Sequence, residues 1–260
     1  MVRENSKSNQ RGRNFGLFTA AGTSGLIVAS VLFGVFVQIW GWKITCLLLS
    51  LPGYFLAYTY LKSKRDKKNH KAVAEKETKQ SHIHLFFISL GIRSLGIWAV
   101  LSFLPLYATD YIGLKPEISA WIVSVYFIGV FLGALISSRI TDKNQPLVLV
   151  LSSTILTTLL LLGITFIVHP IPIFLVIGIL GSLDGIFFPS LNTWLTFICP
   201  VNQQGKIFGI LFFAEGVSAT IAPTLCGWIA DQFSIIWAYR LAAIPLFISF
   251  ILFLILHFLE

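Results

Sequence analysis

Residues 9–42 recur without a gap at an offset of 193 positions. Asn9, Gln10, Gly12, Phe15 and Gly16 coincide with Asn202, Gln203, Gly205, Phe208 and Gly209, and the register continues through Ala21/Ala214, Ala29/Ala222, Leu32/Leu225 and Gly34/Gly227. Each copy joins a polar entry to a stretch rich in small residues, so one structural unit has been duplicated. A chain with this repeat must fold as related halves, and whatever lies between the copies sets the size of one half.

What lies between is almost wholly apolar. Hydrophobic residues make up 56% of the 260 and charged ones 12%, against about half and about a quarter in soluble domains. The apolar stretches run over about 15–39, 44–61, 84–108, 118–138, 146–168, 171–198, 207–230 and 235–258, each near the ~20 residues a helix needs to cross the hydrocarbon. They are continuously apolar and too long for the alternating ~10-residue strands of a barrel. The expected fold is therefore an all-α polytopic membrane bundle of eight spans. The repeat places span one and span seven in equivalent positions, six spans apart.

Lys and Arg beside spans are retained in the cytoplasm. Of the 19, fifteen fall before span one or in the segments after spans two, four and six; Lys43, Lys115 and Arg240 fall on the other side and Arg93 within the membrane. Both termini are thus expected in the cytoplasm. The net charge of +8 is an orientation signal and not a nucleic-acid footprint, because the basic residues flank spans without interleaved aromatics. The first apolar run has no cleavage site at a suitable distance and reads as an uncleaved span. Cys46, Cys199 and Cys226 lack metal-ligand spacing and read as packing residues; His82 and His84 bracket the entry of span three with no third ligand nearby. No cofactor or metal site is expected.

Residues 62–83 form a basic linker almost without large apolar side chains, which cannot bury a core. It divides the chain into residues 1–61 with two spans and residues 84–260 with six. A six-span repeat with cytoplasmic ends and a basic central loop resembles the major facilitator superfamily of secondary transporters. Arg11-Gly12-Arg13-Asn14-Phe15-Gly16, leading to Gly22, Gly25, Gly34 and Gly41-Trp42-Lys43, is similar to that family's fifth span. The run from Gly133 to Asp142-Lys143 resembles its loop between spans eight and nine, with Asn144 and Gln145 where Gly and Arg are expected; Pro223 with Gly227 to Asp231 resembles span eleven. The resemblance implies a helical bundle of the transporter type, makes Asp142 and Lys143 gating-loop candidates, and assigns these spans to the family's fifth to twelfth. On that mapping, as on the repeat alone, four more spans are expected before the first copy, so the chain reads as an N-terminally truncated transporter, whether by gene truncation, a misplaced start or a fragment.

Charged side chains in mid-bilayer cost about 2.5–3.5 kcal/mol on insertion scales and normally face a cavity or a partner. Arg93, Asp184 and Glu215 all fall near the middle of their spans. One reading has Arg93 attracting an anionic solute group while Asp184 or Glu215 carries a coupling proton; the other is a fixed ion pair between helices. Asn192, Trp98 and Tyr126 are further pathway candidates, each with a packing or interfacial role as the alternative. Gly181 with Gly185, and Gly129 with Gly133, have the small-x-x-x-small spacing of close helix contacts. Pro105, Pro189 and Pro223 are expected to bend their helices.

The function expected is secondary active transport of a small solute across the cytoplasmic membrane, possible proton coupling included. A transport-inactive remnant is the alternative. A membrane enzyme is the weaker one, since no His-Glu-x-x-His, Gly-x-Ser-x-Gly or phosphate loop occurs. The expected partners are a small-molecule solute and the bilayer, with no nucleic acid; no signal for self-association is found.

Overall fold

The structure, a computed structural model, describes residues 10–62, 83–198 and 203–259. The expected linker lies almost wholly outside the described residues, as do His82 and Cys199. Among those described, regular structure is entirely helical: α1 Arg11–Lys62, α2 Ile83–Leu106 continued by a π-helical turn Tyr107–Tyr111, α3 Pro116–Ile140, α4 Pro146–Ile164, α5 Pro170–Ile198, α6 Gln204–Gln232 and α7 Ile235–Leu259. Seven segments among the described residues are long and apolar enough to cross a membrane, and they match expected spans two to eight. The expected first span is helical too, in the part of α1 before Gly41, where several side chains lie outside the described set. Gly41 breaks α1 with φ 72° and ψ 166°, a backbone setting that glycine alone adopts without a Cβ clash.

The two copies of the repeat start their helices in the same register, since α1 begins at Arg11 and α6 at Gln204. The chain divides into two compact units, residues 24–76 and residues 1–23 with 77–260. In the first, the helix from Ser24 is mostly exposed along its described length. The second contains α2 to α7 and the opening turns of α1.

In that larger unit, prolines start α3, α4 and α5 at their first helical residue, where a missing N–H costs nothing. Two apolar clusters fill the bundle. One gathers Leu104, Tyr107, Ile122, Tyr126, Leu161, Ile173 and Tyr239; the other gathers Phe86, Leu90, Phe187, Leu191, Trp194 and Phe253. Hydroxyls tie helices together through spare carbonyl lone pairs: Ser218 donates to Gly91 O at 2.8 Å, Ser249 to Ser89 O at 2.8 Å and Tyr239 to Val100 O at 3.0 Å. Such bonds hold where no hydrophobic force separates protein from lipid.

The tightest seam joins α3 to α5, and glycine makes it. A Cβ at Gly133 would stand 2.0 Å from Ser182 O, at Gly181 2.0 Å from Tyr126 O, at Gly129 2.1 Å from Gly178 O and at Gly185 2.2 Å from Val130 O. The backbones therefore touch directly, each glycine seated against the other helix.

Candidate functional site

That seam positions a polar cluster between the two apolar ones. Tyr126 on α3 is brought against α5, where its hydroxyl donates to Asp184 Oδ2. Asp184 Oδ1 accepts from Nη2 of Arg93, which reaches it from α2. Arg93 is 0% exposed and Asp184 3%. The guanidinium lies 3.5 Å from the centroid of the Phe187 ring, with Phe188 at 6.0 Å. The charge of Arg93 is thus met by a carboxylate on one side and an aromatic face on another, a combination that is favourable once water is excluded. Breaking such a pair by removing one partner costs about 3–5 kcal/mol, because the other charge is stranded. Among the described residues, Arg93 Nε has no hydrogen-bond partner.

Glu215 on α6 is half-buried and interacts electrostatically with both Arg93 and Asp184. Among the described residues it makes no hydrogen bond and no ion pair. Asn192 stands two turns beyond Asp184 on α5, its Oδ1 buried and without a hydrogen-bond partner among the described residues. Trp98 is on an exposed face of α2, 40% accessible, and stands outside the cluster, its carbonyl accepting from Ser102 one turn on. The structure therefore groups Arg93, Tyr126 and Asp184 in direct contact, holds Glu215 within electrostatic range, and leaves Trp98 apart.

A second feature lies at the end of the bundle where α1 and α6 begin. Asp142, in the turn after α3, accepts from Gly12 N at 2.7 Å through Oδ1 and from Arg13 N at 2.9 Å through Oδ2. A carboxylate there satisfies orphan amides and meets the positive end of the α1 dipole. A Cβ at Gly12 would stand 2.6 Å from Thr141, and one at Gly16 2.7 Å from Ser138, so α1 is laid directly on the end of α3. Lys143 is exposed beside them. Phe15 stacks on Phe208, its repeat counterpart, with centroids 6.4 Å apart and planes at 21°, and Arg11 lies 5.5 Å over the Phe197 ring. Sequence reasoning places Asp142 in a loop and finds the repeat, but misses that equivalent phenylalanines meet and that the loop carboxylate caps the first copy. The signal available was the shared Gly-x-x-Phe-Gly pattern, whose glycines are one turn apart and make a close approach in the first copy.

The family described as Major Facilitator Superfamily matches residues 86–260. Among curated proteins, the chain is 25% identical over 234 residues to the proton-coupled antiporter flippase LtaA of Staphylococcus haemolyticus, covering 86% of this chain and 58% of the relative. It is 22% identical to the multidrug resistance protein MdtG of a Rahnella species, with 84% and 56% covered. It is 25% identical to the cis,cis-muconate transport protein of Acinetobacter baylyi, with 85% and 58% covered. The chain spans somewhat under three fifths of the length of these relatives.

Proposed function

The chain belongs to the major facilitator superfamily and is an integral membrane protein, and on that premise we propose that it serves secondary transport of a small solute, driven by proton movement across the cytoplasmic membrane. Three relatives named for a proton-coupled flippase, multidrug resistance and muconate transport support movement of solutes over enzymatic turnover. The distribution of Lys and Arg supports cytoplasmic termini. Residues 1–61 are proposed as two spans of one bundle, 62–83 as the connecting loop and 84–260 as the second bundle.

The observation that carries this reading is the charge cluster in an otherwise apolar bundle. Arg93, Asp184 and Tyr126 are buried against one another by an ion pair and a hydrogen bond, and they serve best as a fixed strut between α2, α3 and α5. Glu215 has no such commitment and is the better proton carrier, as intramembrane carboxyls facing a pathway commonly are. At the other feature, the Asp142 cap on α1 and the Phe15–Phe208 stack make a closed cytoplasmic end that alternating access must open, with Asp142 as the latch and Lys143 at its rim.

The test is proton-linked flux in everted membrane vesicles from cells that express the chain. Ethidium, cis,cis-muconate and a fluorescent lipid analogue serve as probes chosen after the three relatives. At least one is expected to dissipate an imposed pH gradient, and Glu215→Gln to abolish the effect. Flux that ignores both the gradient and Glu215→Gln, or no flux with any probe, overturns the reading.

A further inference from the structure

Arg240 is one of the few basic residues that fall on the side away from the basic segments, and the transport reading gives it no task. It is the sixth residue of α7, which begins at Ile235, so its Cα lies about 7.5 Å along that helix. The 25 residues of α7 span about 37 Å against a hydrocarbon core of ~30 Å. With α7 centred on the core, the Cα of Arg240 falls about 4 Å inside it. Long side chains on a helix lean toward its N-terminus, and a basic one at this depth lifts its head to the polar boundary. The guanidinium therefore ends at the level of lipid phosphates and glycerol esters.

That guanidinium is fastened from one side only. Its Nε donates to Thr165 Oγ1 at 3.4 Å, in the turn between α4 and α5. Thr165 is itself fixed, since its hydroxyl donates to Leu162 O at 2.8 Å and its carbonyl accepts from the Tyr111 hydroxyl at 3.2 Å. The guanidinium carbon lies 5.3 Å from the centroid of the Phe166 ring and 5.4 Å from that of Trp237, and both rings are exposed. Among the described residues no acceptor meets Nη1 or Nη2, and neither atom is buried. Asp110 and Asp231, exposed at this end of the bundle, do not pair with it. Further along α7, Ile244, Ile248 and Ile251 follow Arg240 at steps of four, four and three residues and are all exposed, so they form one apolar stripe that runs from the guanidinium into the core. A free fork of N–H donors binds a phosphate oxygen pair, and the stripe below it fits an acyl chain. Inorganic phosphate would use the fork and leave the stripe idle, while a zwitterionic lipid brings a second cation that Arg240 repels.

We propose that Arg240, between Phe166 and Trp237, binds the phosphodiester of a glycerophospholipid of net negative charge, whose acyl chain lies along Ile244, Ile248 and Ile251. The bound lipid is a partner at the rim of the bundle and not a transported solute, so the site is independent of the transport reading. Its phosphate joins the start of α7 to the α4–α5 turn, which only the long Arg240–Thr165 bond and the ring contacts otherwise connect through this side chain.

Photolabelling of the purified full chain in phosphatidylcholine nanodiscs tests this. The probes are phosphatidylglycerol and phosphatidylcholine with the same diazirine on one acyl chain, each at the same mole fraction, with adducts located by peptide mass spectrometry. Adducts within residues 241–251 are expected to favour phosphatidylglycerol by about fivefold, the size of one basic residue's attraction to anionic lipid. Arg240→Gln, checked for unchanged helicity, is expected to bring the two lipids to parity at that stretch, whereas Arg240→Lys keeps a preference and Lys115→Gln, a change of charge at the same end of the bundle, leaves it whole. Parity in the unaltered chain overturns the proposal whether or not the variant folds. A preference that survives Arg240→Gln, or that falls as far in Lys115→Gln, also overturns it, the second because surface charge in general then suffices. Millimolar inorganic phosphate is expected to leave the adducts in place; their loss marks a free-anion site and refutes the lipid.

Discussion

Gly181→Ala adds one methyl group at the seam on which the polar cluster depends. The new Cβ would stand 2.0 Å from Tyr126 O and 3.1 Å from Val130 N, where ordinary contacts begin at 3.4 Å, so it lacks about 1.4 Å of room. Both offending atoms belong to the α3 backbone, which cannot turn aside as a side chain can, and the helices must separate. Overpacking of this kind costs about 1–3 kcal/mol. Tyr126 is the residue struck and also the donor to Asp184, which sits one turn along α5 from Gly181. Loosening that charge-assisted bond adds up to about 1.5–3 kcal/mol. A combined loss of about 1–6 kcal/mol corresponds to a fall in melting temperature of roughly 2–24 °C at about 2–4 °C per kcal/mol for a chain of this size. The assay is intrinsic tryptophan fluorescence on heating in detergent, with Gly163→Ala as the control. No atom lies within 4 Å of a Cβ at Gly163, and alanine there is expected to be neutral or slightly stabilising in a helix. If Gly181→Ala melts within about 2 °C of the parent, or Gly163→Ala falls as far, backbone contact does not govern this seam.

Arg93→Leu alone is expected to destabilise by about 3–5 kcal/mol by stranding Asp184, and the double change with Asp184→Leu to recover most of that; equal melting of single and double variants refutes the pairing. Asp142→Ala is expected to cost about 0.5–2 kcal/mol, as loss of a helix N-cap does, and to speed hydrogen exchange at the Gly12 and Arg13 amides while leaving the α3–α5 seam protected. Phe15→Ala and Phe208→Ala are expected to be non-additive, with a coupling of about 0.5–1.5 kcal/mol from their stacked rings; strict additivity in thermal melts means the rings do not meet.

Much of the fold was legible because membrane helices announce themselves by length and apolarity, and because the repeat fixed a register that the helices keep from Arg11 and Gln204 onward. The spacing of Gly129, Gly133, Gly181 and Gly185 also foretold close approach, though only the structure shows α3 and α5 as each other's partners. Which carboxylate would take Arg93 was not legible. Asp184 and Glu215 lie at similar depth, and depth is all that a run of apolar residues reports. The choice depends on azimuth, set where the glycine seam rolls α5 toward α3 and turns Asp184 to both Tyr126 and Arg93. The Asp142 cap was hidden for a related reason, since its amide partners lie 130 and 129 residues away.

The repeat itself shows how little a local pattern decides alone. Gly12 and Gly16 are pressed against Thr141 and Ser138, whereas a Cβ at their counterparts Gly205 and Gly209 would meet nothing within 4 Å. The backbone pattern is the same, yet alanine should be costly at one pair and harmless at the other. It follows that the role of each residue in this bundle is set by the helix laid across it. Glu215 is an instance: a carboxylate no deeper than Asp184 makes no hydrogen bond and no ion pair among the described residues, because the seam turns Tyr126 and Arg93 toward Asp184 instead.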